Sequence, residues 1–316
     1  MNESTESFRR VQYDLRPAKQ IERRMIVDAL QLLAMEGFSI RDYQYTGMGS
    51  IYFVDFVLFH RLLGMERMVS VEQSPIQGRV AFNKPFRVVA VEMCPVGDYI
   101  PRLSRDLRHL LWLDYDSVLS TEHLEDVSLA GTYLTPGSIL LVTVDSEPPV
   151  RVEAAGSPER WREYFMEVGK NYVDPAWESG LFAQSKLPFV NALILENALR
   201  AGLSGRRDVE FLPLFNFIYA DGHRMVTIGG MVVSDVEKRR VLASRLPQAF
   251  YYRRRLEEPA YEIHVPKVTR KERFLLDSAM PCDEGWKPDS LDLPAEDIDA
   301  YRQIYRFFPA YGELLV

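Results

Sequence analysis

Gln44-Tyr-Thr-Gly-Met-Gly-Ser-Ile51 is the place to start: two glycines one residue apart, with an apolar helical pattern directly behind them. Met68-Val-Ser-Val-Glu-Gln73 follows, a short apolar run that stops on a carboxylate. The order is strand, glycine turn, helix, strand, acidic residue, which is how a βαβ unit holds a nucleoside. Glycine suits such a turn because a Cβ would collide with a molecule lying against the backbone, and because the turn can demand positive φ. A carboxylate at the tip of the second strand can accept hydrogen bonds from both ribose hydroxyls. Glu72 stands 25 residues after Gly47, near the spacing of about 20 expected for that acid.

Outward from this unit the chain keeps alternating. Upstream, Pro17 marks a helix start, and Ile21, Met25, Ala29 and Leu32 recur at helical spacing until Gly37. The first strand falls at Asp42 to Tyr45. The next helix covers Ile51 to Leu63 and is closed by Gly64. Met68 to Val71 and Arg87 to Val91 form the second and third strands, and Leu110 to Asp114 a fourth that again ends in a carboxylate. A helix from Thr121 to Leu129 leads to a fifth strand, Ile139 to Val144, ending at Asp145. Helices follow at Glu159 to Tyr172 and Pro188 to Ala201. Two β-rich runs, 210–219 and 224–233, then flank Asp221-Gly222, a strong hairpin signal.

This pattern predicts an α/β fold: a doubly wound, mainly parallel seven-stranded sheet ending in an antiparallel hairpin. The predicted organisation is an N-terminal helical lead-in or lid (1–40), the sheet domain (41–234) and a C-terminal appendage (235–316).

Composition narrows the function classes. The chain has 316 residues, 47% of them hydrophobic and 12% aromatic, enough for a sizeable core. A formal net charge of −7 argues against broad attraction to nucleic acid or anionic membrane. A local basic segment, 238–273, remains open to a nucleic acid or protein partner. Two distant cysteines, Cys94 and Cys282, suit a reducing cytoplasm and leave no cysteine-rich metal site. No apolar run approaches the roughly 18 residues needed to span a bilayer.

Over Asp42 to Val233 the chain resembles the class I S-adenosylmethionine (SAM)-dependent methyltransferases, which have a Rossmann-like fold. The resemblance rests on Gly47 and Gly49, on Glu72, Asp98 and Asp114 after the second, third and fourth strands, and on the terminal hairpin. In that family the glycine turn approaches the methionine moiety, the acid binds the ribose, and a residue after the third strand reads the adenine amino group. The resemblance therefore implies SAM held by Thr46, Gly47, Met48, Gly49, Glu72, Gln73 and Asp98 (or Glu92), with Asp114 beside it. Two positions depart from the family pattern: Tyr45 stands where an acid is usual, and Ile51 where a third glycine is usual.

The chain also resembles, more distantly, the catechol-type O-methyltransferases, through Leu113-Asp-Tyr-Asp116 and Val144-Asp-Ser146. That likeness implies Mg²⁺ held by Asp114 and Asp145, lowering the pKa of an acceptor hydroxyl. Alternatively Asp114 or Asp145 is a general base, or Asp114 and Asp116 cap the following helix. Asp-Pro-Pro-Tyr, the motif of adenine amino methylation, is absent, so an oxygen acceptor is favoured. His60 reads as structural and His223 as a solvated turn residue. Lys19, Glu22 and Arg23 read as a helix-surface ion-pair set or as part of a lid. The expected function is SAM-dependent methyl transfer to an unidentified acceptor. The alternatives are a methyltransferase-like nucleotide-binding module acting through a partner protein, and a nucleic-acid-modifying or defence-associated enzyme.

Overall fold

The computed structural model describes residues 16–73, 76–149, 156–288 and 292–309; the first 15 residues of the predicted N-terminal lead-in (1–40) lie outside them. Helix α1 (Pro17–Met35) starts on its proline, and its first amides are capped from far along the chain. Ala18 and Lys19 donate their N–H groups to the two oxygens of Asp221, at 3.0 and 2.9 Å. One turn residue of the late hairpin thus fixes where the first helix begins.

The repeating unit follows as β1 (Gln44–Gly47), α2 (Val54–Leu63), β2 (Arg67–Glu72), α3 (Gln77–Phe82), β3 (Val89–Met93), α4 (Val96–Tyr99), β4 (His109–Val118), α5 (Thr121–Tyr133) and β5 (Ile139–Asp145). Helices α6 (Pro158–Val168) and α7 (Leu187–Leu203) precede β6 (Glu210–Ala220) and β7 (Arg224–Val233), whose turn holds Asp221-Gly222. Then come α8 (Asp235–Ala243), β8 (Tyr261–Glu262), α9 (Arg270–Ala279) and α10 (Ala295–Ile304). The sheet has eight strands in the order β3-β2-β1-β4-β5-β7-β6-β8, one more than the sequence predicts. β7 alone runs against its neighbours. The extra strand, Tyr261–Glu262, pairs in parallel with β6 and is too short to show a period.

Strand alternation sends side chains to two cores. Tyr45, Leu110, Trp112, Ile139 and Leu141 pack with α1 and α2 on one face. Leu111, Leu113, Leu140, Val142 and Val144 pack with α5 and α7 on the other. Every residue of β5 is buried, as expected of a central strand covered on both sides.

The glycine turn differs from the expectation in a telling way. Its left-handed residues are Ser50 (φ 52°) and Phe53 (φ 49°), whereas neither Gly47 nor Gly49 has positive φ. α2 consequently starts at Val54 rather than Ile51. The glycines are demanded by the chain itself. A Cβ on Gly49 would lie 2.7 Å from the Phe53 ring and 2.8 Å from Ser70 Oγ, and one on Gly47 would strike the Tyr45 hydroxyl. A non-glycine residue in this conformation costs on the order of 1–3 kcal/mol. Ser50→Gly should therefore raise stability by up to about 1 kcal/mol, read as a higher thermal midpoint; an unchanged or lower midpoint would show that Ser50 is not strained.

Candidate active site

The tips of β2, β3 and β4 enclose a cleft of about 500 Å³, lined by Met48, Val71, Glu72, Gln73, Asp98, Tyr115 and His123 among others. It opens where the strand order reverses at β1, the usual place for a ligand in such a sheet. A volume of this size suits a nucleoside-sized molecule.

Glu72 is 8% exposed, and the turn clamps it. Its Oε1 accepts from the Ser50 N–H at 2.8 Å and from the Ser70 hydroxyl at 2.7 Å. Ser70 Oγ also accepts from the Gly49 N–H at 3.0 Å. Ser50's left-handed backbone thus aims an amide at the carboxylate. Burial raises the Glu72 pKa above 4.5, against the hydrogen bonds from Ser70 and the turn amides.

The opposite wall comes from an irregularity in β4. Asp114 pairs with Thr143 and Val118 with Asp145, so β4 advances four residues beside two on β5. The slack pushes Tyr115, Asp116 and Ser117 outward, as a bulge does, and all three line the cleft. Tyr115 stacks on His123 with ring centroids 3.8 Å apart and donates its hydroxyl to Asp126 at 2.7 Å. Burial lowers the His123 pKa to about 4 despite nearby Asp116, so the ring is neutral at pH 7. The sequence suggests that His123 could reach the cleft but assigns it no role, and it does not single out Tyr115 or Asp126. The available signal was an aromatic residue at a strand tip, with a histidine in the first turn of the next helix.

Of the residues expected to hold the cofactor, Met48, Glu72, Gln73 and Asp98 line the cleft. Gly47 and Gly49 form the turn above it. Thr46 is fully buried beneath the turn, its hydroxyl accepting from Gln44 Nε2 at 3.3 Å. Glu92, the alternative to Asp98, instead pairs with Arg102 at 3.9 Å.

Asp114 and Asp145 are not part of the cleft wall. Asp114 Oδ1 receives the ammonium of Lys19 at 2.7 Å. Lys19 is fully buried, 2.9 Å from the equally buried Glu22, with its Nζ 4.5 Å from the Trp112 ring centroid. Alongside, Arg23 bonds Asp55 at 2.8 Å, and Asp55 accepts from the Tyr45 hydroxyl at 3.0 Å. The set read as a helix-surface pair is therefore an internal network. Tyr45, at the position where the resemblance leads one to expect an acid, gives its hydroxyl to this network through Asp55.

The Mg²⁺ expectation does not fit this donor chemistry. Asp114 is occupied by an ammonium, and Asp145 accepts from the Glu147 N–H at 2.7 Å and from His223 at 3.0 Å. Among the described residues no three His, Cys, Asp or Glu side chains gather as a cation site.

Parts of the basic segment 238–273 serve the fold: Lys238 pairs with Glu210, Arg240 covers Phe38, and Arg253 donates to three backbone carbonyls. No helix among the described residues is long and apolar enough to cross a membrane.

A family model described as "Putative O-methyltransferase" matches residues 11–316. No curated protein matches the chain. Solved structures similar to it include the O-methyltransferase TomG from Streptomyces achromogenes in complex with SAM. It shares 15% identity over 66% of this chain and 80% of that one, with a TM-score of 0.36. The N-methyltransferase NodS from Bradyrhizobium japonicum shares 11% over 68% and 97%, with a TM-score of 0.35. The Methanococcus jannaschii fibrillarin pre-rRNA processing protein shares 10% over 62% and 68%, with a TM-score of 0.33. Similarities this slight carry no weight on their own.

Proposed function

The chain belongs to the family described as "Putative O-methyltransferase"; it is a SAM-dependent methyltransferase, and we propose that the cleft at the tips of β2, β3 and β4 holds SAM and that the methyl group passes to an oxygen of the acceptor. The observation that carries this reading is Glu72, a carboxylate fixed at the cleft wall by the Ser50 amide and the Ser70 hydroxyl. A carboxylate has roughly four acceptor sites, and those two donors leave capacity for both ribose hydroxyls. Met48 and Val71 give an apolar surface beside it, while Asp98 offers an acceptor to the adenine amino group. The stacked Tyr115–His123 pair gives the base a flat wall.

When bound, SAM supplies an electrophilic methyl carbon on a sulfonium. The chain's own contribution is then to orient the donor and the acceptor in line, which can account for a large part of a rate enhancement without reactive side chains. Asp114, tied to Lys19, serves best as a fixed negative end of the network under β4 rather than as a free base.

Titration calorimetry with SAM and S-adenosylhomocysteine (SAH) tests the reading. Both should bind the full chain in the micromolar range, and adenosine more weakly. Absence of heat with either ligand at millimolar concentration would remove the basis for it.

A further inference from the structure

His223 and Asp145 form a pair that the reading above does not use. Asp145 closes β5 with its side chain 10% exposed, whereas the His223 side chain, in the β6–β7 turn, is 76% exposed. Their atoms Oδ2 and Nδ1 are 3.0 Å apart. Asp145 cannot swing away, because its Oδ1 holds the Glu147 N–H at 2.7 Å. The turn is stitched to the same loop. Ser146 donates its N–H and its hydroxyl to the Arg224 carbonyl, at 2.8 and 2.7 Å, and Glu147 accepts from the Arg224 N–H at 3.2 Å.

The chemistry follows from the hydrogen bond. An ionised carboxylate only accepts, so Nδ1 of the neutral ring carries the proton and the lone pair sits on Nε2. A buried acid that orients an exposed imidazole in this way produces a general base.

Position says what it serves. Ser117 lines the cleft, and the next residue, Val118, is the register partner of Asp145. The cleft occupies the β2, β3 and β4 tips, so the pair stands one strand further along the same sheet edge, beside the cleft and outside its wall.

We propose that His223 is the general base of the methyl transfer, oriented by Asp145 as a positioning residue, and that the acceptor presents a phenolic hydroxyl. This rests on the SAM-dependent reading above. As the O–H bond breaks, the proton moves to the lone pair of Nε2 and the bonding electrons stay on the acceptor oxygen, which becomes the nucleophile. The imidazolium later loses its proton to solvent. Phenolic hydroxyls, with pKa values near 10, are within reach of an imidazole, whereas aliphatic hydroxyls are far weaker acids. Arg224, Glu147, Asp221 and its partner Arg16 are charged groups around the turn, and Gln184 adds an amide.

The test uses the full chain in two measurements. Nitrogen-15 NMR of the histidine-labelled protein, with the signal assigned by His223→Gln, should show His223 as the Nδ1–H tautomer, and Asp145→Asn should shift it toward Nε2–H. An Nε2–H ring in the wild type overturns the proposal. SAH release from SAM with catechol as the probe acceptor should fall about a hundredfold in His223→Ala, with SAM affinity within twofold of wild type. Added imidazole should restore part of that loss, since the turn is open to solvent, and His264→Ala should leave the rate alone. Unchanged transfer in His223→Ala, no rescue by imidazole, or no transfer to catechol by a wild type that binds SAM each counts against the proposal. Failure of SAM to bind would instead strike the underlying reading.

Discussion

Replacing Lys19 by Met should destabilise the protein by about 3–5 kcal/mol at pH 7, the cost of leaving buried charge without its partner. Lys19 is fully buried between Glu22 and Asp114, at 2.9 and 2.7 Å. Methionine fills similar space and keeps contact with Trp112, so packing is largely held and the electrostatic loss is isolated. In a chain of this size such a loss lowers the thermal midpoint by roughly 10 °C. The sign of its pH dependence separates this cause from a packing defect. Burial alone would raise the Asp114 carboxyl, but Lys19 and Arg23 outweigh it and hold its pKa below 3.8. In the wild type this group therefore contributes stability that is present above pH 3.8 and lost as pH falls through the lower folded value. Glu22 is the opposite case: burial, against the pull of Lys19, raises it above 4.5, so its contribution weakens as pH rises through that value.

Without Lys19 the carboxyl of Asp114 should join Glu22 on the raised side. The folded variant would then bind more protons than the unfolded chain, and the deficit should grow from pH 4.5 to pH 7. Lys19→Met with Glu22→Leu should recover part of the loss, because one of the stranded acids is gone. Urea unfolding across that pH range decides the matter. A deficit that is flat with pH, or below 1 kcal/mol, means that the buried ammonium is not what steadies these acids.

The sequence exposes what depends on neighbours along the chain and hides what depends on neighbours in space. Asp221-Gly222 announced the β6–β7 hairpin because turn chemistry is local. That the same Asp221 caps α1, some two hundred residues upstream, no periodicity can show. The acid ending β2 was readable as a cleft residue, since strand alternation and spacing place it. Asp114, inside β4, reads as a strand-tip acid with a role at the site, and it is instead tied to an ammonium. Its partner Lys19 lies 95 residues away on a helix whose pattern looked solvent-facing. Similarly, the helix after the glycine turn was drawn from Ile51, because nothing in the residue types says that Ser50 and Phe53 take left-handed backbone. The wall made by Tyr115 and His123 depends on a slip in β4–β5 register. Register of that kind is set by both strands together and leaves no mark in either alone.

Glu72→Ala should weaken SAH binding by 10- to 150-fold, the equivalent of about 1.5–3 kcal/mol for hydrogen bonds to a charged group. The carboxylate is worth this much because it arrives already positioned: Ser50 and Ser70 hold Oε1, so little is spent ordering it when a ligand docks. Alanine also leaves the Ser50 N–H facing the cleft without its acceptor. A drop in affinity alone would be ambiguous, since disturbing the turn could loosen the whole site. Analogues of SAH lacking the 2′- or 3′-hydroxyl resolve this. Each should bind the wild type more weakly than SAH does, and should bind Glu72→Ala no more weakly than SAH binds that variant, because the group that read the hydroxyl has gone. The coupling in this double-mutant cycle should be about 1 kcal/mol or more for each hydroxyl. Glu72→Gln should fall between, since the amide oxygen still accepts but one acceptor has become a donor. If the deoxy analogues are discriminated equally by wild type and Glu72→Ala, the acid at the end of β2 does not hold the ribose, and the nucleoside lies elsewhere in the cleft.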